Sequence, residues 1–404
     1  MSFMGQSLGK VGNRAVQQGV RYYIQHGPLD MFTVALRAAL TTVVGSEAQR
    51  YIDARSLSRD ELLSKVPDDR IWYYDSAETI RIDDPLHHGP VPDRFQQSIG
   101  PFDRAQPFVC EVQDVEVVGP AASPKTTDGN YIRNAQGLSD NQLARCILAE
   151  KLLAVRGDDT KSTNRIDTGV IFTNLWSENH FHWQLDFLPR LRGVEEYIQQ
   201  TGVRPKLILG PEPPEWQLEY LRLLDYSPDD WHEYNGGRLH VDTLVVPYGI
   251  RFKRSQLKWV SERLVESAST DEAEFPSNIY ISRDDALCRR VLNEDELMYA
   301  LYNEGFARVE LSEMSVESQI RMFAQVKTVI GPHGAGFANL MYADDASVIE
   351  LFGVKEGPST FHTAGILDHT YGCVRCDTVG EDLVVEVDAV TGLIDRMNER
   401  RAER

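Results

Sequence analysis

Cysteine is scarce in this chain, five in 404 residues, and only Cys373 and Cys376 stand at CxxC spacing. Without a second pair nearby they exclude a zinc ribbon, and five scattered cysteines make no disulfide framework. Reduced thiols near a strand, in a reducing cytoplasm, are the expectation. Long apolar runs are missing too. The longest near the start, residues 31–44, is interrupted by Arg37 and is too short to span a bilayer, and no signal peptide is expected. Basic charge is in deficit. A net charge of −19 argues against nucleic acid as a partner, because a phosphate backbone needs a basic face. Carboxylates at D-x-D spacing are missing from strand ends; Asp158-Asp159 and Asp284-Asp285 are adjacent pairs. No metal held by such carboxylates is expected. No internal repeat or low-complexity tract is present.

Hydrophobic residues make up 42% of the chain, enough for ordinary cores, and its length suits two domains better than one. The acidity sits in pairs such as Asp83-Asp84, Asp229-Asp230 and Asp344-Asp345. A salt-adapted surface and an acidic cytosolic enzyme share that pattern. Residues 1–44 run the other way. Lys10, Arg14, Arg21 and Arg37 stand against Asp30 alone, a net +3, so the rest of the chain carries −22. A basic, partly amphipathic helical segment suits an anionic membrane surface. A helical hairpin packed on the body is the alternative.

Residues 45–105 are polar and irregular, punctuated by Pro85, Gly89, Pro90, Pro92, Gly100 and Pro101. Residues 108–118 alternate as a strand or hairpin arm. From residue 167 an α/β rhythm begins. Strands are expected at 169–173, 206–210 and 243–247, and helices at 180–200 and 215–224, with Pro189 a kink or a helix start. A junction over 248–276 holds one helix, 256–267. A second rhythm follows, with strands at 278–282, 307–311, 327–330 and 347–352 and helices at 294–303 and 316–325. Two such series predict an α/β protein of two Rossmann-like domains, whose helix-covered parallel sheets face a cleft, plus a helical N-terminal segment. The expected divisions are 1–44, 45–250 and 251–404.

The richest stretch is Gly331-Pro332-His333-Gly334-Ala335-Gly336-Phe337-Ala338-Asn339, between an apolar run, 326–330, and a helix-like run, 337–342. The next expected strand carries Glu350. Glycines at a strand-to-helix turn let backbone N–H groups approach a phosphate. A tight turn needing positive φ is the plainer reading. An acid on the following strand is where a ribose hydroxyl would be held; a solvent-facing carboxylate is the alternative. His333 can donate to a phosphate oxygen or shape the loop. Arg283 follows a strand's C-terminal end, where ligands bind in open α/β sheets. Surface pairing with Asp284, Asp285 or Glu294 competes with that role. Arg289 and Arg290 are not distinguishable by inspection. His182 and Asp186 stand at i, i+4 and share a helix face. Such a pair can take a proton from a hydroxyl; alternatively His182 packs and Asp186 pairs with Arg190.

Residues 331–352, GPHGAGFANLMYADDASVIELF, resemble the C-terminal signature of glycosyltransferase family 61, with an HGAG-type loop, an Asn three residues on and a strand ending in Glu. Residues 179–191, NHFHWQLDFLPRL, resemble the family's N-Y-Y-H-W-x-x-D-x-L-P-R-L block, with His180 where the family more often has an aromatic residue. Residues 279–283 and then 289–294 resemble its strand-S-R…R-x-x-N-E block, and 365–371 its closing segment. The blocks keep the family's order across residues 165–375. The resemblance implies a metal-independent, inverting glycosyltransferase of the GT-B arrangement. It would move a sugar from a nucleoside-diphosphate sugar to a hydroxyl of a glycan or lipid-linked acceptor. It implies no cofactor other than that donor substrate. Cysteine usage and the lack of an expected signal peptide give a cytoplasmic place, peripheral at the inner face of a membrane if residues 1–44 bind there. The donor would meet Arg283, Arg289, Arg290, His333, Gly334, Ala335, Gly336, Asn339 and Glu350. The base would be His182 or Asp186 on the acceptor side. Two rivals stand beside this reading. One is an NAD(P)-dependent oxidoreductase, although only 14 residues separate Gly336 from Glu350, against about 20 in the usual fingerprint. The other is a non-catalytic glycan-binding protein of the same fold.

Overall fold

The computed structural model describes residues 54–133, 164–248, 253–268 and 274–402, with Ala135 and Leu143. The basic segment 1–44 and its membrane-surface reading lie outside the described residues. Among those described, no helix is long and apolar enough to cross a membrane. The protein is mixed α/β, built on two principal sheets.

The second sheet positions the site. Its strands lie in the order Ala307–Val309, Asn278–Ile281, Thr328–Pro332, Ser347–Phe352, Thr370–Arg375 and Leu86–His88, all parallel. Helices Glu294–Asn303, Val316–Gln325, Ser359–Ile366 and Val387–Ala402 cover it. Burial on both faces makes its central strands largely apolar; all six residues of Ser347–Phe352 are buried, Glu350 among them. Counted from Asn278, the first five strands are arranged 2-1-3-4-5, a doubly wound order. Its switch point falls between Asn278–Ile281 and Thr328–Pro332, and ligands bind outside the carboxyl ends of strands at that crevice. Arg283 and His333 follow those two ends. The sixth strand, Leu86–His88, was expected to belong to the first domain. It adds to the edge of this sheet because its neighbourhood is anchored there: Phe95 stacks on Phe361 at 4.8 Å and meets Phe352 and Tyr371 edge-on.

The first sheet is not purely parallel. Arg238–Tyr248, Asn164–Ile171, Lys206–Leu209 and Trp231–Glu233 run parallel, but Arg238–Tyr248 pairs antiparallel with Phe108–Val118 along its whole length. Two eleven-residue strands can pair this way because both bury alternating or continuous apolar positions, with Val115 and Val117 lying opposite Val241 and Leu239. One apolar cluster joins the helices of both sheets, including Trp183, Leu188, Tyr220, Ile320, Phe337 and Met341.

The helix expected over 180–200 is divided. Residues His180–His182 make one α turn, Trp183–Phe187 a π turn, Leu188–Arg190 a 3-10 turn, and Leu191–Thr201 a regular helix. Pro189 lacks the N–H that a continuous helix requires, so the ladder re-registers around it. The regular helix ends at Gly202, whose φ of +73° supplies the left-handed cap. The expected CxxC is inert. Cys373 and Cys376 are free and buried, and burial pushes both thiols up to about 12.

Candidate active site

Two groups of residues border the short 3-10 helix Ala335–Tyr342, which follows the glycine loop. The first lies on the turn His180–His182, which packs against this helix. Asn179 caps the turn by accepting the N–H groups of Phe181 and His182 at 3.0 and 3.4 Å. Four residues on, Asp186 Oδ2 lies 2.7 Å from His182 Nδ1. The π turn does not break the expected pairing. The His182 side chain is 25% exposed and that of Asp186 only 9%, so the imidazole faces outward with the carboxylate behind it. Arg190 sends its guanidinium to the carbonyls of Ile171, at 2.9 Å, and Ala135. Its burial lowers it to about 10.

The second group surrounds the glycine loop. Ser282, at the end of its strand, donates to Glu294 at 2.8 Å, and Glu294 also accepts from Arg308 at 2.9 Å. This brace fixes the chain where Arg283 leaves the sheet. The Arg283 guanidinium then lies under the loop: a Cβ at Gly334 would stand 2.6 Å from its Nη1. Gly334 is extended, with φ −174°, and none of Gly331, Gly334 and Gly336 has positive φ. The loop's glycines are therefore explained by close approach, not by turn geometry. Gly336 makes room for Leu311, 2.7 Å from where its Cβ would be, and Gly331 for Ile281. Ala335 opens the 3-10 helix and is partly exposed.

Arg289 and Arg290 separate cleanly. Arg290 is committed to Asp382, which accepts from its Nη2 at 2.6 Å and from its backbone N–H at 3.0 Å. Arg289 has a φ of +62°, a strained backbone, and its guanidinium donates to the His333 carbonyl. Burial and the charge of Arg289 lower the pKa of Arg283. Lys355, on the loop after Phe352, is likewise lowered by partial burial and then by Arg289, with a smaller push from Arg283. Among the described residues none of these three cations has a carboxylate within ion-pair distance, and the Nε atoms of both arginines are buried without a hydrogen-bond partner. Sequence reasoning missed Lys355; it lies in an irregular loop, and only the fold brings it to the arginines.

Two expected donor contacts face inward instead. Glu350 is wholly buried and accepts from His333 at 2.7 Å, Thr360 at 2.8 Å and Tyr371 at 2.6 Å. It holds His333 and has no exposed oxygen for a ribose, because its strand is covered on both faces. Asn339, also fully buried, accepts from Gln184 at 3.0 Å and donates to Gln319 at 2.9 Å. It ties the His182 segment to the second sheet's helices. Gln184 reaches His180 as well, at 3.0 Å. Burial lowers His180 to about 4, so the ring is neutral and accepts. Asn339→Leu strands two buried amides and is expected to cost about 2–4 kcal/mol of stability in urea unfolding. An unchanged midpoint would show that the bridge contributes nothing.

Residues 180–349 match the glycosyltransferase 61 family model. The chain carries a glycosyltransferase family 61 region. That region contains His182, Asp186, Arg283, Arg289, the glycine loop and Asn339; Glu350 follows its last residue. No curated protein matches the chain.

Proposed function

We propose that the protein is an inverting glycosyltransferase that moves a sugar from a nucleoside-diphosphate sugar to a hydroxyl of a glycan or lipid-linked acceptor. One observation carries the donor assignment: Arg283, at the switch point, feels the charge of Arg289, and Lys355 feels both, with no carboxylate within ion-pair distance of the three among the described residues. Like charges held so close are disfavoured until an anion joins them. A diphosphate is such an anion, and its oxygens match guanidinium forks.

In this reading the two sheets carry acceptor and donor in the GT-B manner. The acceptor oxygen attacks the sugar C1 as the bond from C1 to the diphosphate oxygen breaks. The electron pair goes to the diphosphate, where the cations stabilise it. The acceptor's proton goes to His182 Nε2, while Asp186 accepts from Nδ1–H and steadies the ring. The dinucleotide alternative needs an acid facing the ribose, and Glu350 faces the core.

The test is a titration of purified protein with UDP, GDP and NAD. One of the nucleoside diphosphates is expected to bind, and NAD is not. Arg289→Ala and Lys355→Ala are each expected to weaken binding about 10–100-fold, the loss of one charge-assisted contact. Equal affinity in all three proteins would remove the cluster from the donor site.

A further inference from the structure

We infer that Thr360 and Tyr371 are positioning residues for His333, acting through the Glu350 carboxylate; the inference rests on the donor-site reading above. Thr360 and Tyr371 lie beyond the matched family region. Register brings Tyr371 to the acid: Val348 pairs with Tyr371 and Glu350 with Cys373, so Tyr371 stands diagonal to Glu350 on the same face. Thr360 comes from the helix that packs over these strands.

A carboxylate removed from water is costly unless its oxygens are hydrogen-bonded. Here the hydroxyls of Thr360 and Tyr371, both buried, donate to it from two sides, and His333 donates from a third. Among the described residues His333 is the only basic side chain within 4 Å of it. Burial and Glu350 push the Tyr371 phenol far above its ordinary range, so it remains a donor. With both hydroxyls in place, Glu350 has a fixed orientation and His333 must keep its hydrogen on Nδ1. The ring is also stacked on Phe352, centroids 5.2 Å apart. Its Nε2 lies on the opposite edge, where Gly357 has no side chain; a Cβ there would stand 3.3 Å from Nε2. The arrangement commits Nδ1 to the protein and reserves Nε2 for the donor. A purely structural role for the two hydroxyls would not require this link to the ring.

The experiment combines Thr360→Val and Tyr371→Phe, which remove one donor each, with two readouts. The first is the 15N spectrum of the His333 ring without nucleotide. The wild type is expected to show a single Nδ1–H form, the double variant to lose it, and Thr360→Ser to retain it. The second is affinity for UDP or GDP, whichever binds the wild type. It is expected to fall about 5–20-fold in the double variant and to change no further when both substitutions are placed in a His333→Ala background. An unaltered ring spectrum in a folded double variant would overturn the proposal, as would an equal loss of affinity with and without His333. Should the double variant not fold, Tyr371→Phe alone is read in the same two ways. The ring spectrum needs no ligand, so a wild type that binds neither nucleotide would overturn the donor-site reading separately.

Discussion

His182→Ala is expected to lower sugar transfer by about 10²–10⁴-fold, the usual worth of a positioned general base, while affinity for the nucleoside diphosphate stays within about twofold. The reason is geometric. The imidazole is the outward member of the pair, and its Nδ1 is already engaged 2.7 Å from Asp186. Nε2 is therefore the atom able to receive the acceptor's proton. In the proposed reaction Asp186, behind the ring, would orient it and stabilise the imidazolium. Asp186→Asn is accordingly expected to cost less than loss of the imidazole. Transfer at the wild-type rate by His182→Ala would move the base elsewhere and leave this turn a packing element. A greater loss from Asp186→Asn than from His182→Ala would reverse the two roles. The readout is steady-state transfer with whichever nucleotide sugar the wild type uses.

Arg283→Lys is expected to reduce kcat by about 10²–10³-fold, the scale seen when one preorganised donor to developing charge is removed, with a smaller rise in donor KM. Lysine keeps the charge but loses the planar fork. The Ser282–Glu294–Arg308 brace and the absent Cβ at Gly334 place that fork under the loop, and both features would be wasted on a flexible ammonium. Gly334→Val should reproduce much of the effect by forcing the guanidinium aside. Because Nη1 is the movable end of a side chain, the fold should survive. The two substitutions together should cost little more than either alone. Full turnover by Arg283→Lys would reassign the residue to a structural role.

Much of this was legible in the chain. The strand 108–118, the helices 294–303 and 316–325 and the strand 347–352 appear where periodicity placed them. Apolar spacing within an element is local and survives folding, so such elements declare themselves. The i, i+4 pair of His182 and Asp186 was legible for the same reason, and so was Arg283 at the end of a strand. The HGAG loop stood out because glycine is needed where groups approach closely, here Arg283 at Gly334 and Leu311 at Gly336, and not for a left-handed turn.

What tertiary structure alone decided was the direction each polar side chain faces. Glu350 and Asn339 stand in a glycine-loop signature that reads as ligand-binding, yet covering layers on both sides turn them inward, where a buried polar group must find protein partners. Arg289 and Arg290 are neighbours in sequence, but Asp382, far along the chain, claims only one of them. Lys355 and Thr360 carry no local mark at all, and Tyr371 is marked only as the last residue of the segment 365–371. Leu86–His88 reached the second sheet through aromatic contacts made hundreds of residues away in sequence. Local periodicity specifies which segments become strands and helices; partners brought together across the chain decide which charges are satisfied, and so which are left to meet a substrate.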